Sequence, residues 1–409
     1  MSSIKKMKAS SALKKNKNTS AFNLQFWLLC ISSFLFFSSF NMIIPELPSY
    51  LTSLGGAAYK GFIISLFTLT AALSRPFSGK LADTIGRIPI MIIGAGVCFV
   101  IGFVYPMVTT VAGFLLLRLL HGFSTGFKPT GTSAYVADVV PMNRRGEAMG
   151  ILGVFGSLGI AAGPAVGGLV AQLYSTDIMF YASSASAILS VIILMGMKET
   201  LPDKQRFQWH QLYITRGDIF EPLVKAPSII MFLSAYSFGV VLTIIPDFSD
   251  YLGVTNRGYF FASFTAASIL VRIFAGKISD KYGRTTVLRY STLMVMVAMI
   301  LVGTAQTPFM FLMYAALLGI AAGMNSPTIF AWTIDLSNPL RRAKAMATMY
   351  IAMEIGIGLG ALITGFLVNN RVDRIPYTFY IGAFLSGVAF LYLEFYYLPL
   401  QTKLKDNEN

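Results

Sequence analysis

Apolar residues fill the chain in long runs, and polar residues gather in short segments between them. A helix needs about 20 apolar residues to cross a bilayer. At that length the pattern predicts twelve spans, near residues 22–47, 58–79, 88–107, 110–138, 146–172, 177–197, 226–250, 257–277, 285–304, 307–334, 342–368 and 374–399. Runs this long exceed any ordinary strand, and backbone inside a bilayer must satisfy its own hydrogen bonds, so each is expected to be helical. The expected fold class is an all-α membrane protein with twelve transmembrane helices.

The pattern also repeats. Residues 75–87 read RPFSGKLADTIGR and residues 272–284 read RIFAGKISDKYGR. Their shared frame, R-x-x-x-G-K-x-x-D-x-x-G-R, recurs after 197 positions. The same offset carries Gly122 onto Gly319, Gly126 onto Gly323, Asp138 onto Asp335, and Arg144-Arg145 onto Arg341-Arg342. A strongly apolar chain duplicated across half its length is most simply a membrane transporter. Six spans separate the copies, so the halves share one orientation and form parallel six-helix repeats about an axis along the membrane normal.

Composition changes this picture little. The chain is 55% hydrophobic and 12% charged, with a mean hydropathy of +0.66; soluble domains carry roughly twice that share of charge. The net charge of +14 could suggest nucleic acid, but the basic residues sit in short loops beside apolar spans, as the positive-inside rule requires. Lys5, Lys6, Lys8, Lys14, Lys15 and Lys17, both motif copies, the arginine pairs, Lys198, Lys204, Arg206, Arg216, Lys225, Lys403 and Lys405 fall on one side. The other side holds only Lys60, Arg257, Arg371 and Arg374. Both termini are therefore expected in the cytoplasm, with the chain in the cytoplasmic (inner) membrane. Cys30 and Cys98 lie inside spans and read as packing residues.

Residues 1–21 are expected to form a disordered cytoplasmic arm, 22–197 one six-helix bundle, 198–225 a cytoplasmic linker, 226–399 the second bundle, and 400–409 a cytoplasmic tail. The linker, with Trp209, His210 and Tyr213, is a candidate for an amphipathic helix at the membrane surface.

Ionisable residues inside spans are costly and so are candidates for function. Lys128 lies ten residues before Asp138, about 15 Å along a helix and near the bilayer midplane. Pro129 follows it; the equivalent position in the second half is Asn325, closely followed by Pro327. This pair is expected at a midplane binding site, where Lys128 would attract an anionic or zwitterionic substrate or meet an acid from another helix. Glu354, also near mid-span, is a candidate proton or substrate site; a hydrogen-bonded acid locking its helix is the alternative. Arg118 has no partner within its own helix, and His121, one turn on, shares a proton network with it or is a core histidine. Glu46 and Asp247 are expected near the outer interface, at a wetted gate. Asn41 lies among Phe34, Phe36, Phe37 and Phe40, which could line an aromatic cavity or simply pack. No G-x-x-x-x-G-K-[ST], metal cluster or catalytic-triad spacing occurs, so no cofactor, metal or enzymatic activity is expected.

The doubled G-K-x-x-D-x-x-G-R motif resembles the signature between helices two and three of the major facilitator superfamily. Further stretches resemble its proton-coupled drug-efflux branch: Arg118-Leu-Leu-His121-Gly122-Phe-Ser-Thr-Gly126, Gly159-Ile-Ala-Ala-Gly163-Pro164-Ala-Val-Gly167-Gly168, and Pro45-Glu46-Leu47-Pro48-Ser-Tyr50-Leu51. The resemblance runs from about Phe22 to Leu400 and implies a drug:proton antiporter working by alternating access. It implies a small-molecule substrate, protons and lipid as partners, no nucleic acid, and a monomer. An uptake permease for a sugar or organic anion, and a non-transporting membrane receptor, are the competing expectations.

The motifs also have a physical reading. Gly79 and Gly86, with Gly276 and Gly283 in the second copy, would permit tight turns and close helix approach. Asp83 could face the N-terminus of span eleven, and Arg87 could pair with Asp138. Asp280, Arg284 and Asp335 would repeat this, giving either a latch that holds the halves together while the protein faces outward or a set of loop charges that only fix topology. Gly156, Gly159, Gly163 and Gly167 share one helical face and permit a neighbouring helix to approach closely, while Pro164 should kink the span.

Overall fold

The computed structural model describes residues 22–44, 46–56, 59, 62–254, 258–368 and 371–398. The expected disordered arm and tail, and Pro45, Lys60 and Arg257, lie outside the described residues.

Twelve long helices are numbered here in chain order: α1 Leu24–Ile43, α2 Phe62–Thr84, α3 Arg87–Val104, α4 Val111–Val139, α5 Arg145–Leu173, α6 Thr176–Met195, α7 Lys225–Tyr251, α8 Gly258–Tyr282, α9 Arg284–Gly303, α10 Pro308–Leu336, α11 Arg342–Val368 and α12 Ile375–Leu391. Eleven of these, with their flanking turns, are long and apolar enough to cross a membrane. The exception, α4, carries Arg118, His121 and Lys128, whose polarity lowers its hydropathy. Local chemistry sets the helix starts. Asn23, Thr110, Ser175 and Thr307 each accept a bond from a first-turn amide of α1, α4, α6 and α10. Thr110 and Thr307 are themselves equivalent positions of the repeat.

The helix pairs of the first six recur among the last six. α1 packs on α5 and α6, α2 on α4, and α3 on α4 and α6; α7 packs on α11 and α12, α8 on α10, and α9 on α10 and α12. Two main crossings join the halves, α2 on α11 and α5 on α8, with smaller contacts of α5 on α10 and α4 on α11. Large apolar side chains such as Leu73, Leu270, Phe274, Phe366 and Phe384 remain exposed. In water such a surface would be a liability, whereas lipid solvates it.

Some boundaries differ from the sequence reading. α2 runs to Thr84 and α8 to Tyr282, beyond their apolar runs, because backbone hydrogen bonding continues past Lys80 and Lys277. Gly79 and Gly276 therefore sit within helices and not in loops; only Gly86 and Gly283 turn the chain, with φ of 128° and 91°. Pro48 belongs to a separate short helix, Leu47–Ser53, not to α1. The linker makes only the short turns Trp209–Leu212, Arg216–Ile219 and Pro222–Val224. Pro202, Gly217 and Pro222 interrupt it, so no long amphipathic helix forms.

Candidate functional site

The duplicated motif builds two equivalent charge clusters at one end of the bundle. Asp83, in the last turn of α2, accepts hydrogen bonds from the backbone amides of Ala343 (3.0 Å) and Lys344 (2.9 Å) at the start of α11. Asp280, in α8, accepts from Gly146 and Glu147 at the start of α5, both at 2.9 Å. Each carboxylate thus meets the free amides and positive dipole end of a helix in the other half. Arg87 joins Asp83 to Asp138, and Arg284 joins Asp280 to Asp335.

Two further arginines, legible in the sequence only as topology signals, cross between the clusters. Arg342 Nη1 pairs with Asp138, and Arg145 Nη1 pairs with Asp335 at 3.1 Å. Both also donate to the Ala137 carbonyl. Close backbone approach makes this possible. A Cβ on Gly79 would come within 2.9 Å of Ala347 Cβ, and one on Gly276 would collide with Gly146 and Glu147. Gly86 and Gly283 lie immediately before α3 and α9. Glu199 caps α3, accepting from the amides of Arg87 and Ile88.

The linker ties down the same end. Lys80 pairs with Asp218 at 2.9 Å and Lys344 with Glu221 at 3.1 Å. Burial pushes the Asp218 carboxyl up, but bonds from Thr215 and Lys80 outweigh it and hold its pKa below the ordinary carboxylate value.

Deeper in the bundle, Glu354 Oε1 lies 2.9 Å from Arg75 Nη2. Arg75 is buried, also reaches Thr130, and lies 4.2 Å over the Tyr350 ring, whose hydroxyl meets Ser133. The motif arginine was the missing partner; its recurrence at Arg272 was visible, but its cross-bundle contact was not. Among the described residues, the polar contacts between the halves lie at the motif end or at this level.

Other candidates fall elsewhere. Lys128 is buried inside the first half: its Nζ donates to the Ser32 carbonyl (2.9 Å) and lies 4.9 Å from the Phe36 ring centroid, both on α1, while Gly94 of α3 packs against its backbone. Among the described residues no carboxylate pairs with it, so the expected acid partner from another helix is not found, and its ammonium is turned to α1. Asn325 is the second-half counterpart in geometry too, donating to Ser234 of α7 at 3.2 Å. Arg118 donates to the Ile63 carbonyl and stacks on Phe67, whereas His121 meets Cys98 Sγ; the two make no bond to each other. Asn41 donates to Phe37 within its own helix. Glu46 and Asp247 lie at the end opposite the motifs, with Asp247 exposed.

Gly159, Gly163 and Gly167 bring α5 against α1, while Gly168 faces open space and Pro164 lies inside the continuous helix. Gly356 and Gly360 do the same for α11 against α7. Gly365 faces open space, so it takes no part in that seam.

A twofold-repeated helical bundle, closed at one end by exchanged charges and carrying an ion pair in its central seam, defines an alternating-access secondary transporter. The chain belongs to the Major Facilitator Superfamily, whose sequence model matches residues 29–225 and again 227–409. It is 24% identical over 388 residues to the Quinolone resistance protein NorA of Staphylococcus aureus, covering 91% of this chain and 97% of that protein. It is 23% identical over 385 residues to Multidrug resistance protein 1 of Bacillus subtilis, covering 90% and 95%. Among solved structures, the human organic anion transporter MFSD10 superposes with a TM-score of 0.79 at 17% identity, covering 90% of this chain and 98% of that one.

Proposed function

We propose that this protein exports small organic molecules across the cytoplasmic membrane in exchange for protons, as a monomer. The motif end is the cytoplasmic end, with both termini there, because the basic loops gather at it. The conformation described is then closed to the cytoplasm. The similarity to the quinolone and multidrug resistance proteins along almost the whole chain supports export over uptake.

The observation that carries coupling is the Arg75–Glu354 pair. Arg75 is 2% exposed and Glu354 13%, so the carboxylate is the reachable member. A proton arriving on Glu354 from the open side removes the charge that holds Arg75. The two halves then lose their mid-seam tie, and the α2–α11 crossing is free to open toward the cytoplasm. Release of the proton inside restores the pair and favours return. The Asp83 and Asp280 clusters serve as the latch of the cytoplasm-closed state.

Inside-out membrane vesicles test this reading. Energised vesicles should accumulate norfloxacin or ethidium, and a protonophore should abolish the accumulation. Accumulation that survives collapse of the proton gradient would exclude proton antiport, and proton-driven uptake by right-side-out cells would favour a permease.

A further inference from the structure

The repeat places two arginines at equivalent points of the central seam, but their surroundings differ. Arg75 of α2 faces α11, where Tyr350 supplies a ring and Glu354 a carboxylate. Arg272 of α8 faces α5. The repeat offset carries Tyr350 back to Gly153 and Glu354 back to Ser157. The first half thus supplies neither ring nor acid. Arg272 packs directly on Gly153, where an added Cβ would collide with its guanidinium. Among the described residues no carboxylate lies within ion-pairing distance of it. Its Nε donates to Ser268 Oγ (3.2 Å) and its Nη2 to Ser326 Oγ (3.0 Å).

These two hydroxyls orient the guanidinium without neutralising it, and Nη1 makes no hydrogen bond to any described residue. Arg272 is half-buried, so it retains access to the seam. A guanidinium kept charged and presented in a partly desolvated crossing is a forked donor for a carboxylate or phosphate. Lys128 and Arg118, buried in the first half, are enclosed and already turned to backbone carbonyls.

We propose that Arg272 anchors a negatively charged group of the transported molecule, doing for the ligand what Arg75 does for Glu354. This inference rests on the transporter reading above and names its substrate class: organic anions and zwitterions bearing a carboxylate or phosphate-like group. The asymmetry of the two crossings then has a function. One arginine is committed to the protein's own titratable acid, and the other is left for the cargo.

The test uses the full-length protein in phosphatidylcholine nanodiscs. Thermal shift and direct binding are measured with norfloxacin, benzoate and p-aminohippurate, each against its ethyl ester. The parent should prefer the acids. Arg272→Gln should weaken acid binding by about tenfold or more, the effect of one charge-assisted contact, while ester binding changes less than about twofold. Arg272→Lys should fall between. Ser157→Glu, which places an internal carboxylate where the repeat predicts one, should block the acids and spare the esters. Absence of acid preference in the parent, or equal loss for acids and esters in Arg272→Gln, overturns the proposal. So does stabilisation by phosphatidylglycerol nanodiscs alone, which would make the site a lipid site. Ethidium export by the parent protein in inside-out vesicles separates the two readings: if the parent exports ethidium but shows no acid preference, only the anion inference falls; if the parent fails to export, the transporter reading falls.

Discussion

Arg75 Nη2 and Glu354 Oε1, 2.9 Å apart, join helices α2 and α11 from opposite halves of the protein. Breaking a buried pair by removing one partner costs about 3–5 kcal/mol, because the other charge is left unmatched. Glu354→Gln should therefore lower thermal stability and abolish substrate-induced proton release from vesicles. Arg75→Gln combined with Glu354→Gln should be more stable than either single variant. If Glu354→Gln still moves protons as the parent does, Glu354 is not the coupling acid.

The latch gives a conformational prediction. Asp83→Asn keeps the shape of the side chain but loses the charge facing the amides of Ala343 and Lys344 and the guanidinium of Arg87. Each such charged bond contributes about 1.5–3 kcal/mol. Expression should hold and transport should fall at least about tenfold, with the cytoplasmic ends separating more often in distance measurements between labelled α2 and α11. Full transport by a well-expressed Asp83→Asn protein would rule the latch out.

Packing at the second crossing yields a steric test. Gly276 rests against Gly146 and Glu147 with no room for a Cβ. Gly276→Leu should prevent closure of the cytoplasmic end while each half remains folded, at an overpacking cost of about 1–3 kcal/mol if closure is forced. Unchanged accessibility of a cysteine placed near Asp335 would contradict this.

Lys128 points the other way. Its ammonium is buried, held by one carbonyl and one ring face, with no described carboxylate partner. Replacing a buried charge with an apolar side chain of similar length is often neutral or stabilising. Lys128→Met should leave ligand affinity within about twofold and thermal stability equal or higher. A selective loss of anion binding in this variant would return Lys128 to the substrate site.

The Lys80–Asp218 pair ties the linker to α2. Because the folded Asp218 carboxyl titrates below its ordinary value, its contribution is complete above the free-carboxylate pKa of about 4 and is lost as pH falls through the lower folded value. At neutral pH, Asp218→Asn should mimic that loss and speed proteolysis between residues 199 and 221. Equal cleavage rates would show that the tie is too weak to matter, as exposed pairs often are.

The sequence by itself determined the helical spans, their number and the duplication, because apolar length and a repeated motif are both local in the chain. Asp83, Arg87, Asp138 and their second-half counterparts were legible for the same reason: the repeat conserves their spacing. What only the tertiary structure decided is who meets whom across the halves. Arg75 finds Glu354 some 279 positions away, and Arg145 and Arg342 exchange partners between bundles. Lys128 turns inward to Ser32 because helix rotation, which position along a span does not specify, faces it toward α1 and away from the seam. The contrast between Arg75 and Arg272 belongs to both levels. The sequence holds the asymmetry of Tyr350 and Glu354 against Gly153 and Ser157, but only the crossing of α5 on α8 brings an unpaired guanidinium to it.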